Sequence, residues 1–174
     1  IRFLKENTEA VSFSEKSRDE ALAFLTGNIQ NIELPGEKYE QKVEMIDGDM
    51  CKLKVTRLET NSKGESDEFI YDFTASDIHE GNSGLSVDGK LIEINLITAG
   101  NKKLIKPYKN GEVKDFEDEF SLYTDDVLLG KKLVSAFGVL AEGCHEVFRN
   151  QGIEEVDVCI IAEVLKFGIH HLFH

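Results

Sequence analysis

Between residues 37 and 123 apolar and polar side chains alternate with a period of two, and turn-forming pairs break the alternation at short intervals. A period of two is the mark of a half-buried strand, because successive side chains point to opposite faces. Tyr39, Gln41, Val43 and Met45 share one face, and Asp47-Gly48 then turns the chain. Cys51, Leu53 and Val55 point one way while Lys52, Lys54 and Thr56 point the other. A polar loop over Asn61 to Ser66 precedes Phe69, Tyr71 and Phe73, which alternate with Glu68, Ile70 and Asp72. A second loop covers residues 76–84. Leu85 and Val87 then run into Asp88-Gly89, the strongest hairpin signal in the chain. Ile92, Ile94 and Leu96 follow on one face, with Glu93 and Asn95 on the other. After Gly100-Asn101 come Leu104, Ile105 and Tyr108, where Pro107 calls for an edge or a bulge because it cannot donate to a ladder. Asn110-Gly111 turns the chain again before Phe116, Phe120 and Leu122. The reading is about seven short antiparallel strands. A parallel sheet is excluded, since it would interleave helices between the strands.

The period then switches to that of a helix. Thr124 or Asp125 can cap it, and Asp126 suits its positive end. Leu129, Leu133, Ala136, Phe137, Leu140, Cys144 and Val147 form an apolar stripe, and Gly152 is a plausible terminator. Upstream, Ser17-Arg-Asp-Glu20 has the form of a capping box. It is followed by Ala21, Leu22, Leu25, Ile29 and Ile32 at helical spacing, with Gly27 a weak point and Pro35-Gly36 a turn. Val156, Ile160, Ile161, Val164, Leu165, Ile169 and Leu172 mark a C-terminal helix apolar enough to need a partner, within the chain or in a second copy. The expected organisation is an N-terminal helical extension (1–36), an α+β domain (37–152) and a C-terminal apolar helix (153–174).

Strands leading directly into one long helix, as in Phe120-Ser-Leu-Tyr-Thr-Asp-Asp-Val-Leu-Leu-Gly-Lys-Lys-Leu-Val-Ser-Ala-Phe, resemble the pleckstrin-homology-like superfold. This segment is also similar to the end of domains found in bacterial proteins. The resemblance implies a small antiparallel barrel or bent sandwich whose last helix plugs one end. Lipid-binding members of that superfold carry Lys and Arg around the first hairpin loop. Here that loop is Ile46-Asp47-Gly48-Asp49-Met50, with two acids and no base, although Lys52, Lys54 and Arg57 follow on the next strand.

Charge narrows the partners further. Lys plus Arg number 20 against 33 Asp plus Glu, a net charge of −13. Such a chain is repelled by phosphate backbones and anionic headgroups. Glu112 to Asp126 holds seven acids against Lys114. Asp115, Glu117 and Glu119 alternate as calcium ligands do, but the glycine and distal glutamate of an EF-hand loop are missing. The stretch reads as a solvated acidic rim or, with Asp118, as a surface for a basic partner. Lys102, Lys103, Lys106 and Lys109 around Pro107 read as a device that blocks edge pairing, with an anion or acidic-partner site as the alternative. His170 and His174 share a helical face without a third metal ligand, and His145 diverges from Cys144 on a helix, which argues against a Cys–His pair. Cys51, Cys144 and Cys159 show no metal spacing and read as three buried thiols, or as one disulfide and one free thiol. No P-loop, G-x-G-x-x-G or G-x-S-x-G is present, so no cofactor or enzymatic activity is expected. No run is long enough for a membrane helix. The first residues lack a signal peptide's apolar stretch, and the start at Ile1 suits a processed chain or a fragment.

The functional expectation is a non-enzymatic protein-interaction module. It would take an extended peptide at a groove between a sheet edge and the adjoining helix, with Glu93 and Asn95 the first residues to consider. The alternative is an acidic inhibitor or immunity-type protein covering a basic toxin or nuclease through Asp115, Glu117, Asp118 and Glu119. In titrations at about 150 mM salt, neither phosphoinositide vesicles nor duplex DNA should bind. Sub-micromolar affinity for either would contradict the charge argument.

Overall fold

The computed structural model describes residues 18–150. In chain order the elements are α1 (Arg18–Asn28), β1 (Ile32–Leu34), β2 (Glu37–Ile46), β3 (Asp49–Thr60), β4 (Ser66–Thr74), β5 (Gly84–Asp88), β6 (Leu91–Ile97), β7 (Lys106–Lys109), β8 (Glu112–Val113), β9 (Glu119–Thr124) and α2 (Val127–Asn150). They make an α+β fold with one six-stranded sheet, order β1-β2-β3-β4-β7-β8, and one three-stranded sheet, order β5-β6-β9. Every strand pair is antiparallel. The sheets do not close into one continuous barrel ladder.

The hairpin signals act as local chemistry requires. Asp47 and Gly48 both take positive φ (55° and 74°), the pair of angles a tight hairpin turn needs, and they join β2 to β3 in the register Val43↔Val55. Asn110 and Gly111 do the same between β7 and β8. Pro107 pairs with Tyr71 of β4, and on the outer side its carbonyl accepts the Lys114 N–H at 2.9 Å, next to the Tyr108 and Lys109 pairs with β8. The proline thus stands at the end of the outer ladder, where its missing N–H forgoes only the return bond.

The inward faces supply one core. Leu53, Val55, Phe73, Ile94, Leu96, Phe120 and Leu122 from the sheets meet Leu133, Ala136, Phe137 and Leu140 of α2, all buried. Phe137 is 1% exposed, and its ring lies 6.4 Å from those of both Phe73 and Phe120. The helical stripe therefore packs as its spacing predicts. Ala21, Leu22 and Leu25 of α1 are buried in the same cluster.

Several expectations need correction. The helix near Gly27 ends at Asn28, and Ile32 is a buried strand residue rather than part of the helical stripe. β1 and β8 are too short to show an alternation, so the strand count of about seven was low. Phe116 is 49% exposed and precedes the last strand, which begins at Glu119. The cap of α2 is Asp126, whose Oδ1 accepts the N–H groups of Leu128 (2.7 Å) and Leu129 (3.2 Å). Thr124 instead accepts the Asp126 N–H through Oγ1 at 3.1 Å. Three buried thiols is also incorrect: Cys51 of β3 and Cys144 of α2 form a disulfide, with Cα atoms 5.7 Å apart. Closing a loop across 93 residues stabilises by roughly 4–5 kcal/mol in the chain-entropy account. Ser17, Gly152, Cys159, the terminal histidines and the C-terminal apolar segment, with the self-association expected of it, lie outside the described residues.

Phe137→Ala should cost about 3–5 kcal/mol, because a large ring is lost between three elements with no room to collapse. Urea unfolding with the disulfide intact measures it. A loss below about 1 kcal/mol would contradict the packing described.

Candidate functional site

Among the described residues β5 forms one border of the small sheet, with β6 on one side and no strand on the other. Which backbone groups face that open side follows from parity. Ile97 of β6 accepts from the His79 N–H (2.9 Å) and donates to Ser83 Oγ (3.1 Å), so its backbone points toward the β5 side. Asn95, Glu93 and Leu91 share that direction and stand opposite Gly84, Ser86 and Asp88. Leu85 and Val87 therefore aim their N–H and C=O groups away from β6, where no described residue pairs with them.

Their side chains take the interior side, opposite the buried Ile94 and Ile92. There α2 runs close by. A Cβ on Gly130 would stand 3.1 Å from Leu85 Cδ2 and 3.3 Å from Thr124 Cγ2, so glycine lets the first turns of the helix settle against the sheet. Beyond this contact a cavity of about 320 Å³ opens, lined by Glu80, Gly84, Leu85, Lys131, Val134 and Ser135. Val87, two residues along β5 from Leu85, is 64% exposed, and Leu128 of the helix is also exposed. An open strand edge and an apolar groove thus share one border.

The other border of the small sheet is treated differently. Tyr123 and Ser121 of β9 turn their backbone groups away from β6 and meet two side chains of the large sheet. Gln41 Nε2 donates to Tyr123 O (2.9 Å) and to Gln30 O (2.9 Å), while its Oε1 accepts the Tyr123 N–H (2.7 Å). One side-chain amide thereby does the work of a backbone amide. Arg57, its cross-strand neighbour, donates to Ser121 O and forms an ion pair with Glu59 at 2.7 Å. The guanidinium lies over Tyr123 (4.9 Å), Phe69 (5.0 Å) and Tyr71 (5.7 Å). Burying this cation is tolerable because its charge is met by a carboxylate, a carbonyl and three ring faces.

Past Arg57 the large sheet continues into a cavity of about 390 Å³, lined by Glu37, Tyr39, Glu59, Thr60, Asn61, Glu65, Ser66 and Asp67. Hydrogen bonds from Asn110 and Lys109 hold the Asp67 carboxyl below its ordinary range. Among the described residues no group of His, Cys, Asp and Glu is arranged to hold a metal ion.

No protein-family model, curated protein or solved structure matches the chain.

The structure brings only part of the expected surface together. Glu93 and Asn95 lie on the outer face of the small sheet, in a polar row with Ser86 and Ser121. Ser86 Oγ donates to Glu93 Oε2 (3.0 Å), and Ser121 Oγ donates to Asn95 Oδ1 (2.9 Å). Glu119 pairs with Ile97 at the end of that face. Glu117 and Asp118 are held by backbone: Glu117 exchanges hydrogen bonds with Ile105 (3.0 Å each way), and Asp118 O accepts from Thr98 N–H (2.9 Å). Desolvation, then Glu119, raise the Glu117 carboxyl above its ordinary range. Asp115 is exposed in the loop before β9. The groove residues Glu80, Lys131 and Val134 were not singled out, because no local pattern says which strand will be a border. Gln41 and Arg57 carry a signal that went unread: each is a polar residue on an apolar period-two stripe.

Burial is the leading cause that raises the phenol pKa of Tyr39, Tyr71 and Tyr123, with the Glu37 carboxylate adding at Tyr39. The unfolded chain ionises its tyrosines near 10, before the folded chain does. Stability is therefore complete below that pH and falls as pH rises above it. Phenolate absorbance should show these three tyrosines ionising late, together with an alkaline drop in melting temperature. Ionisation of every tyrosine at the ordinary value would refute this.

Proposed function

We propose that the protein is a non-enzymatic interaction module that takes an extended segment of a partner as an added strand along β5. The observation that carries this reading is the border at Leu85 and Val87. Two residues there present backbone donors and acceptors that no described residue pairs, beside the groove against α2. Backbone bonds give such a segment affinity, and alternate side chains entering the groove give it selectivity. The strand order followed by a core-filling helix supports a pleckstrin-homology-like barrel, with Gln41 and Arg57 spanning the seam that backbone pairing leaves open. Glu93 and Asn95 belong to the sheet that would accept the added strand, one strand in from its border.

A second reading keeps the acidic inhibitor or immunity-type protein. The cavity beside Tyr39 favours it, because Glu37, Glu59, Glu65 and Asp67 line it on a chain of net charge −13. A basic toxin or nuclease would then associate quickly, with steep salt dependence.

The edge reading is tested by selecting ligands from a displayed library of unstructured peptides. Bound peptide should slow amide exchange at Leu85 and Val87, and Val87→Lys should weaken binding about tenfold or more. Unchanged binding by Val87→Lys would remove β5 as the docking strand.

A further inference from the structure

We infer that the segment taken by β5 has the pattern apolar–basic–apolar, with the basic residue opposite Ser86. This rests on the edge reading above and adds the chemistry of the partner. A strand added to β5 must place the residues opposite Leu85 and Val87 on the α2 side, beside the groove, and the residue opposite Ser86 on the outer face. The two inward residues stand opposite Leu85 and the exposed Val87, next to a groove where Leu85 and Val134 lie between Glu80 and Lys131, so they gain by covering this apolar surface.

The outward residue meets acids. Ser86 stands between Asp88, two residues along the same face, and Glu93, directly across the sheet. Asp88 is a diagonal neighbour on the adjoining strand, and serine is short, so a long Lys or Arg side chain can pass over it toward Glu93, two strand spacings or about 10 Å away between backbones. Glu93 accepts from Ser86 through Oε2 only, and the described residues place no hydrogen bond on its other oxygen. A Lys or Arg at this position therefore finds a carboxylate on two sides, against Lys90 at the turn. Gly84, the remaining outward position, offers no side chain. A second copy of the chain fits poorly. Its own Ser86 would fall opposite Ser86 in a two-fold pairing, and each copy carries the same net charge of −13.

The backbone geometry supplies a sharp control. The Val87 N–H points away from β6, so Val87→Pro deletes a donor to the partner and none to the sheet, the placement in which strands accept proline. Val87→Lys is the second edge variant, since that side chain is already mostly exposed. The probe is a fluorescent, capped Thr-Val-Lys-Val-Thr peptide, compared with the same peptide carrying Glu in place of Lys, by anisotropy with the full chain. The Lys peptide should bind about tenfold tighter than the Glu peptide. Glu93→Gln should cut that preference severalfold, and Val87→Pro and Val87→Lys should abolish binding of both while melting as the wild type does. Equal binding of the two peptides, lost in both edge variants, would overturn the basic pattern and leave the edge reading standing. Binding of neither peptide, or binding that survives both edge variants, would overturn the two together. A wild-type dimer that both edge variants convert to monomer would assign the edge to a second copy and also overturn the proposal.

Discussion

The pairing of Gln41 and Arg57 with the outer border of β9 is the interaction on which the arrangement of the two sheets turns. The small sheet has two borders and only one of them faces the large sheet. Left alone, the Tyr123 and Ser121 backbone groups would be buried without partners at a cost of about 1–3 kcal/mol each. A full backbone ladder there would need the sheets to meet in register along their length. Two side chains on neighbouring strands reach across instead, and each fits its task by chemistry. The amide of Gln41 carries a donor and an acceptor, so it matches both groups of Tyr123. The guanidinium of Arg57 serves one carbonyl while aromatic faces and Glu59 take up its charge.

The contrast between strand borders then acquires a physical meaning. β1 and β8 end the large sheet in three and two residues, too short to template another chain. β9 is covered by side chains. β5 is five residues long, carries no Lys or Pro, and ends beside an apolar groove. Among the described residues the two borders of the small sheet are thus treated differently, and the proposed strand addition rests on that contrast between β5 and β9.

Much of this was legible in the residues and some was not, for definite reasons. Period-two runs such as Cys51-Leu53-Val55 and Ile92-Ile94-Leu96 located strands, because burial on one face leaves a mark on every second residue. The stripe through Leu133, Phe137 and Leu140 placed α2 in the core for the same reason. β1 and β8 escaped because two or three residues cannot display a period. The disulfide stayed one of two readings because Cys51 and Cys144 lie far apart in sequence, and only the packed fold brings them together. Glu93 and Asn95 sit on β6, the middle strand, and strand order is a property of long-range pairing rather than of any local run. Asp115 through Glu119 stand out by charge, yet Glu117 and Asp118 owe their places to backbone bonds, Glu117 donating and accepting and Asp118 accepting, which do not depend on their side chains.

The link between Cys51 and Cys144 makes a covalent ring of everything from the start of β3 to the last core-facing turn of α2. A protease that cut the exposed loop from Asn61 to Ser66 would open this ring without releasing a fragment. Tension applied to the chain beyond Cys144 would pass through sulfur into the centre of the large sheet, bypassing the helical turns that precede it. The helix is thus fastened at the end where a pull from downstream would first peel it away.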